Sequence, residues 1–243
     1  MHGRYGDARV VRAADRATSL LAGVRSRHSF SFGAHYAPGN THFGVLVACN
    51  DDLLAPRSGY PSHPHRDVEI VTWVLAGALE HRDSTGRGEL VTPGLVACLS
   101  AGTGVEHSEA NASATEPLHL VQMWVVPDGR PAAPAYQVAD LSAELSTGGL
   151  VTLATGDAGG GAALRIRRTD AVLRGSRLGP GGSVTCSDAP YVHLFVCTGS
   201  VRIDGVGELT AGDAARLVAP GACGLTAGTG GAELLLWEMQ TSL

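Results

Sequence analysis

The 243-residue chain contains no lysine: all 18 of its basic residues are arginine. That excludes Schiff-base chemistry and every other use of a lysine amine, and it reads as the imprint of a GC-rich coding sequence. Charge is sparse at 17%, with a net of −5. Such a balance forces no basic face, so a nucleic-acid footprint has no support. Cysteines number five, at 49, 98, 186, 197 and 223, with no C-x-x-C pair. An odd, scattered set reads as core thiols, not as a disulfide framework or a zinc knuckle. The opening stretch MHGRYGDARVVRAADR has no apolar segment of the kind a secretory signal needs. Nowhere do 18 uncharged apolar residues run together, so no membrane span is expected and the expected location is the cytoplasm.

What is present is glycine, 33 residues of it, within a chain that is 44% hydrophobic. Helical periodicity is poor, and only 14–24 (ADRATSLLAGV) and 139–146 (ADLSAELS) are predicted as helices. Short apolar or alternating runs recur instead between Gly, Pro, Asn and Asp, as in 43–49 FGVLVAC, 67–75 DVEIVTWVL, 118–126 LHLVQMWVV, 191–197 YVHLFVC and 200–204 SVRID. Many short strands at this spacing predict an all-β sandwich or barrel. The Pro-, Gly- and Ala-rich stretch 127–163 interrupts them and is expected to be a linker with a weak helix. A faint internal echo predicts two β units. VTWVLAGALEHRDSTG resembles HLFVCTGSVRIDGVG at an offset of 122, and ELVTPGLVACLSAG resembles ELTAGDAARLVAPG at 119. The expected division is an N-terminal unit over 1–130, a linker over 131–163 and a C-terminal unit over 164–243.

Five of the ten histidines lie between 63 and 119. His63 and His65 stand at i and i+2 and would share one strand face, together with Asp67 and Glu69. His107 and Glu109 repeat that spacing after a Gly-rich turn. Two antiparallel neighbours could join the pairs into three imidazoles and a carboxylate, a set suited to iron, manganese, nickel or copper, and acceptable to zinc. Under the echo, His63 and His65 fall on Thr185 and Ser187, and the counterparts of His107 and Glu109 lie near Leu225 and Ala227, so any such site belongs to the first unit. His81, Arg82 and Asp83 are read as hairpin stabilisers and His119 as a core or surface residue, while Gln122, of opposite parity, could face the cavity. Trp73, Met123 and Trp124 are read as packing.

Three stretches, GYPSHPHRDVEIVTWVLAGALEHRDSTG, PGLVACLSAGTGVEHSEAN and EPLHLVQMWVVPD, resemble the pirin family of the cupin superfamily, closest to its bacterial quercetin dioxygenase-like members. SRHSFSFGAHYAPGNTHFGVLVACNDDLLAPRSGY fits the same pattern, so the resemblance is close over about 26–128 and only an outline beyond. It implies a bicupin, two antiparallel jelly-roll-like β-barrels face to face, with one mononuclear metal in the first. The family's ligands map onto His63, His65, His107 and Glu109. Glu69 stands where many cupins place a ligand, but the family's pattern gives that role to Glu109, leaving Glu69 behind the ligands to orient an imidazole.

The resemblance further implies one divalent metal, Fe(II) foremost, with Mn, Ni, Cu, Co and Zn as alternatives. It implies a monomer and a flavonol dioxygenase of the quercetin 2,4-dioxygenase type. A phenolic substrate and O2 would meet at the metal, Glu109 would serve as ligand and base, and the central ring would open with release of carbon monoxide. A second expectation is an iron-binding redox regulator of a transcription factor or metabolic enzyme, acting through a protein partner. A third is a barrel without chemistry, against which the complete ligand set argues. An enzyme requires an open, mostly apolar cavity over the metal, whereas a sensor works with a closed one.

Overall fold

A computed structural model describes residues 7–243 apart from 131 and 158. Along the chain run β1 (Ala8–Val11), β2 (Ala17–Leu21), β3 (Val24–His28), β4 (Leu46–Leu54), β5 (Gly59–His65), β6 (Glu69–Ala76), β7 (Leu79–Asp83), β8 (Gly88–Val91), β9 (Leu95–Ser100), β10 (Val105–Asn111), β11 (Leu118–Val125) and β12 (Ala135–Asp140). A single turn of helix, α1 (Ser142–Leu145), precedes β13 (Val151–Thr155), β14 (Leu164–Arg165), β15 (Ala171–Leu178), β16 (Ser183–Cys186), β17 (Tyr191–Ile203), β18 (Gly207–Thr210), β19 (Ala214–Val218) and β20 (Cys223–Met239). The chain is all-β, as its strand-and-turn pattern predicts. No helix among the described residues is long and apolar enough to cross a membrane.

The first unit has two sheets, one of seven strands in the order β12-β9-β6-β11-β4-β3-β2 and one of four in the order β5-β10-β7-β8. The second is a sheet of nine strands along β1-β19-β17-β20-β15-β13-β14, with β16 on β20 and β18 on β17. Alternation along the central strands explains how the units join. On β6, Ile70 and Val74 enter the first unit's own core, while Val71 and Trp73 face outward into a core shared with Phe195, Leu235 and Trp237. Polar pins cross the same junction: Trp73 Nε1 donates to Glu233 Oε1 at 2.6 Å, and the guanidinium of Arg216 lies 4.1 Å from the centre of the Phe30 ring. The second unit's interior is filled by apolar side chains such as Val192, Leu194, Leu225 and Leu234. Leu225 and Ala227, near which the echo places the counterparts of His107 and Glu109, are buried there.

Several expectations change. The helix predicted over 14–24 is a 3-10 turn at Ala13–Asp15 followed by the β2–β3 hairpin. Leu21 pairs with Val24 across Ala22 (φ 47°) and Gly23 (φ 84°). Two consecutive residues in the left-handed region form the tight hairpin turn whose twist matches its strands, and this outweighs the weak helical spacing. The helix over 139–146 shrinks to Ser142–Leu145. The stretch 131–163 contains β12, which extends the first unit's sheet on β9, and β13, which pairs with β15 in the second. β1, from the chain's beginning, pairs with β19 of the second unit. The two predicted strands 191–197 and 200–204 form one bent strand, β17, with Gly199 at the bend. A Cβ on Gly199 would overlap the Gly231 carbonyl oxygen, so only glycine allows the strands to approach there.

Candidate metal centre

The four-stranded sheet positions the histidines. β5 and β10 run antiparallel with His63 opposite His107 and Val105 opposite His65, and the register shifts between His107 and Glu109 so that Glu109 lies opposite Tyr60. The two i,i+2 pairs are thereby brought onto one patch. Ring centres of His63, His65 and His107 are 4.5 to 4.9 Å apart. Nδ1 of His63 donates to the Pro61 carbonyl at 2.8 Å, which leaves Nε2 as the lone-pair nitrogen. That atom lies 3.1 Å from Nε2 of His107.

Glu109 is held from two sides. Gln122 on β11 donates to Oε2 at 2.8 Å, and Trp124 Nε1 donates to the Gln122 carbonyl oxygen at 3.1 Å, which fixes the amide's orientation. His81, opposite Glu109 on β7, places Nδ1 4.0 Å from Oε1 and Nε2 3.2 Å from Asp83 Oδ2. Tyr136 of β12 stacks on the His81 ring, 3.8 Å between centres and 2° from parallel. The sequence presents His81 as a hairpin stabiliser, whereas its ring is fully buried beside Glu109 and His107. The Leu-x-His order on β7 carries that signal, because i and i+2 place Leu79 and His81 together on the inner face.

The donors fit a metal ion. Two ligands at right angles, each about 2.1 Å from a metal, stand about 3 Å apart, which is the separation of the two Nε2 atoms. Nε2 of His65 is buried with no hydrogen-bond partner among the described residues, as is Nδ1 of His81. Burial pushes His107 down to about 4 and lowers His65, so both imidazoles are neutral at physiological pH. Burial alone would raise Glu109, but the nearby His81 and His107 and the hydrogen bond from Gln122 hold it below its ordinary value as a carboxylate. Neutral imidazoles and one anion suit a divalent cation.

Glu69 does not join this group. Strand alternation predicts it on the face of His63 and His65, but Asp67, at φ 51°, turns the chain between β5 and β6 and ends the alternation. Glu69 therefore starts a strand of the other sheet, on the face of Val71 and Trp73, and accepts from Ser100 Oγ at 2.6 Å. Asp67 is exposed. His119 pairs with Asp51 at 2.6 Å, and Arg82 with Glu80 at the surface. All five cysteines are buried and free.

Above the histidines opens a cavity of about 680 Å3. Its walls are Leu20 and Leu21 of the β2–β3 hairpin, Val24, Phe32 and Trp124. Asn50, Asp52 and Tyr60 add polar groups, and His63, His65, Glu109 and Gln122 also line it. Phe32 packs edge-on against Trp124 at 5.2 Å and stacks on His28 at 4.9 Å.

Comparison with known proteins agrees with this architecture. The sequence profile of the Pirin family matches residues 9–125. A Mycobacterium tuberculosis protein with the provisional name quercetin 2,3-dioxygenase is 52% identical over 234 residues, 96% of either chain. A Pseudomonas aeruginosa protein of the same provisional name is 39% identical over 185 residues, 75% of this chain and 79% of its own. Among solved structures, the bacterial pirin YhhW of Escherichia coli in complex with nickel(II) superposes with a TM-score of 0.88 at 30% identity, covering 98% of this chain and all of its own. The chain belongs to the pirin family, with a histidine and glutamate group of the kind that holds a divalent metal.

Proposed function

We propose that this protein is a metal-dependent flavonol dioxygenase, with quercetin as a model substrate, in which His63, His65, His107 and Glu109 hold one divalent transition metal, Fe(II) foremost. The observation that carries the reading is the cavity. A pocket of about 680 Å3 with largely apolar, aromatic-containing walls stands open directly over the ligand group, which is what a planar phenolic substrate needs and a closed sensor site does not. The names of the relatives support the same substrate class.

When bound, the metal orients the chelating oxygens of the substrate and stabilises the negative charge that develops on them. The chain's own groups do the rest. Leu20, Leu21, Phe32 and Trp124 bind the flat rings and exclude water. Glu109 accepts the proton of the substrate's 3-hydroxyl at Oε1, since Oε2 is engaged by Gln122. The Nδ1 of His81, 4.0 Å from Oε1, is placed to take a hydrogen bond from the protonated carboxyl, with Asp83 steadying the far nitrogen. The ionised, electron-rich flavonol then takes up O2 across its central ring, which opens with loss of one carbon as carbon monoxide.

The test is anaerobic reconstitution with Fe(II), followed by oxygen uptake and loss of quercetin absorbance against metal-free protein. Both are expected only with metal. One tightly bound iron per chain without turnover would reject the enzyme in favour of the redox regulator. His63→Ala and His65→Ala are each expected to lose most bound iron, and full stoichiometry in both would reject the ligand set. Glu109→Gln, which coordinates weakly but accepts no proton, is expected to lose turnover well beyond its loss of metal.

A further inference from the structure

The cavity wall formed by β4 carries a polar group that the chemistry above does not use. Asp52 lies mid-strand, opposite Leu120 of β11, and only 1% of its surface is exposed. Tyr60, the cross-strand neighbour of Glu109, donates its hydroxyl to Asp52 Oδ2 at 2.9 Å, and Ser26 Oγ stands 3.2 Å from the same hydroxyl. The other oxygen, Oδ1, is buried and has no hydrogen-bond partner among the described residues, although Asp52 lines the cavity. Its neighbour His28 differs, with Nδ1 3.0 Å from Asn50 Oδ1 and Nε2 2.8 Å from Ser19 Oγ. Native structures rarely leave a buried carboxyl oxygen bare, and a ligand that enters the cavity is one way to complete it.

The chemistry of that oxygen narrows the ligand. Burial, ahead of the opposing influence of the nearby Ser26 and Tyr60 hydroxyls, raises Asp52 to about 7, so carboxylate and acid coexist near neutrality. A hydroxyl group satisfies both forms, donating to the carboxylate and accepting from the acid. An ether oxygen satisfies only the acid, and a C–H satisfies neither.

We propose that Asp52 is a specificity-determining residue of this cavity, and that its Oδ1 receives a ring hydroxyl of the substrate other than the one that faces Glu109. The assignment rests on the flavonol reading and deepens it: the substrate is a polyhydroxylated flavonol, recognised at two separated hydroxyls. Tyr60 is the positioning residue, holding Oδ2 and leaving Oδ1 as the unpaired oxygen.

The experiment is binding, without turnover. Dissociation constants are measured by fluorescence quenching on Fe(II)-loaded protein under anaerobic conditions, for quercetin and for analogues each lacking one ring hydroxyl. One analogue is expected to bind wild type about tenfold or more weakly than quercetin, because a site built to pair a hydroxyl rejects the molecule that lacks it. In Asp52→Ala that difference is expected to vanish. Asp52→Asn keeps an oxygen for Tyr60 and turns an amide N–H toward the cavity. It is expected to bind the methyl ether of the same hydroxyl as well as the hydroxyl itself, whereas wild type, measured at pH 8 where the carboxylate prevails, rejects the ether. Should Asp52→Ala fail to fold, the Asn comparison decides alone. An analogue ranking identical in wild type and Asn variant overturns the Asp52 assignment and leaves the flavonol reading standing. Failure of every flavonol to bind metal-loaded wild type overturns that reading and the assignment with it.

Discussion

Replacing Gln122 by Leu tests the metal centre through a residue outside the proposed ligand set. The amide makes two hydrogen bonds, donating to Glu109 Oε2 at 2.8 Å and accepting from Trp124 Nε1 at 3.1 Å. The two losses appear in different measurements. The bond to a charged carboxylate is worth about 1.5–3 kcal/mol. Metal-loaded protein requires Glu109 ionised, while metal-free protein can relieve the lost bond by protonating it. Most of the loss therefore falls on the loaded state and weakens metal binding by about 10- to 100-fold. The Trp124 N–H is left unpaired with or without metal and so leaves the affinity untouched. For this partly buried donor on the cavity wall the loss costs about 0.5–1.5 kcal/mol of stability, at about 2–4 °C of melting temperature per kcal/mol for a chain of this size. Competition with a chelator of known affinity measures the first effect, and thermal unfolding of metal-free protein the second. The carboxyl of Glu109 rises when the amide is removed, so the variant should also release metal at a higher pH than wild type. A Gln122→Leu protein that melts lower yet binds nickel within twofold of wild type would refute the argument.

Gly59 pairs with Ala110 at the start of β5, and a Cβ there would overlap the Glu109 carbonyl oxygen and lie 2.6 Å from Ala110 Cα. Gly59→Ala should force β5 away from β10, lowering both metal stoichiometry and melting temperature, and retention of both would show that the strands yield more easily than their packing implies. His193, buried in the junction between the units, is lowered to about 3 by burial first and then by Arg216 and Arg16. A depressed histidine favours the unfolded chain once that chain protonates, so its contribution is complete above about 6.5 and is lost as pH falls toward 3. Metal-free protein should lose about 2 kcal/mol between pH 7 and 5 on this account, read from urea midpoints, and His193→Gln should flatten that dependence. Leu21 is 75% exposed and lines the cavity mouth. Leu21→Ser should leave stability within about 0.5 kcal/mol and weaken quercetin binding several-fold, and an unchanged dissociation constant would remove the hairpin from the binding wall.

Much of this was legible in the sequence because strand alternation is a strong local signal. The apolar runs around 70, 120 and 194 became central strands, and His63, His65 and His107 converge, with Glu109 beside His107, because each pair sits two residues apart on neighbouring strands. What failed did so where one residue redirects the chain. Asp67, in a left-handed conformation, separates β5 from β6 and sends Glu69 to the other face. Ala22 and Gly23 turn a predicted helix into the hairpin that walls the cavity. His81 looked like hairpin polarity because its partners, Glu109 and Tyr136, lie 28 and 55 positions away, and only sheet pairing brings them close. Nothing in NDDLL marks Asp52, which lies inside a nine-residue strand, so its place in the cavity emerges only from the fold. The assumed linker concealed two strands because an edge strand such as β12 needs little apolar pattern of its own.

The first unit divides its labour between its two sheets. The histidines and Glu109 stand on the four-stranded sheet, whereas the hairpin of β2 and β3, most of the apolar wall and Asp52 belong to the seven-stranded one. At the site the two are tied by few bonds, chiefly Gln122 to Glu109 and Tyr60 to Asp52. Inheritance can therefore revise what the cavity admits while leaving the donors of the metal unaltered. A directed library confined to residues 18–35 and to Asp52 would vary the cavity wall while sparing the histidines and Glu109.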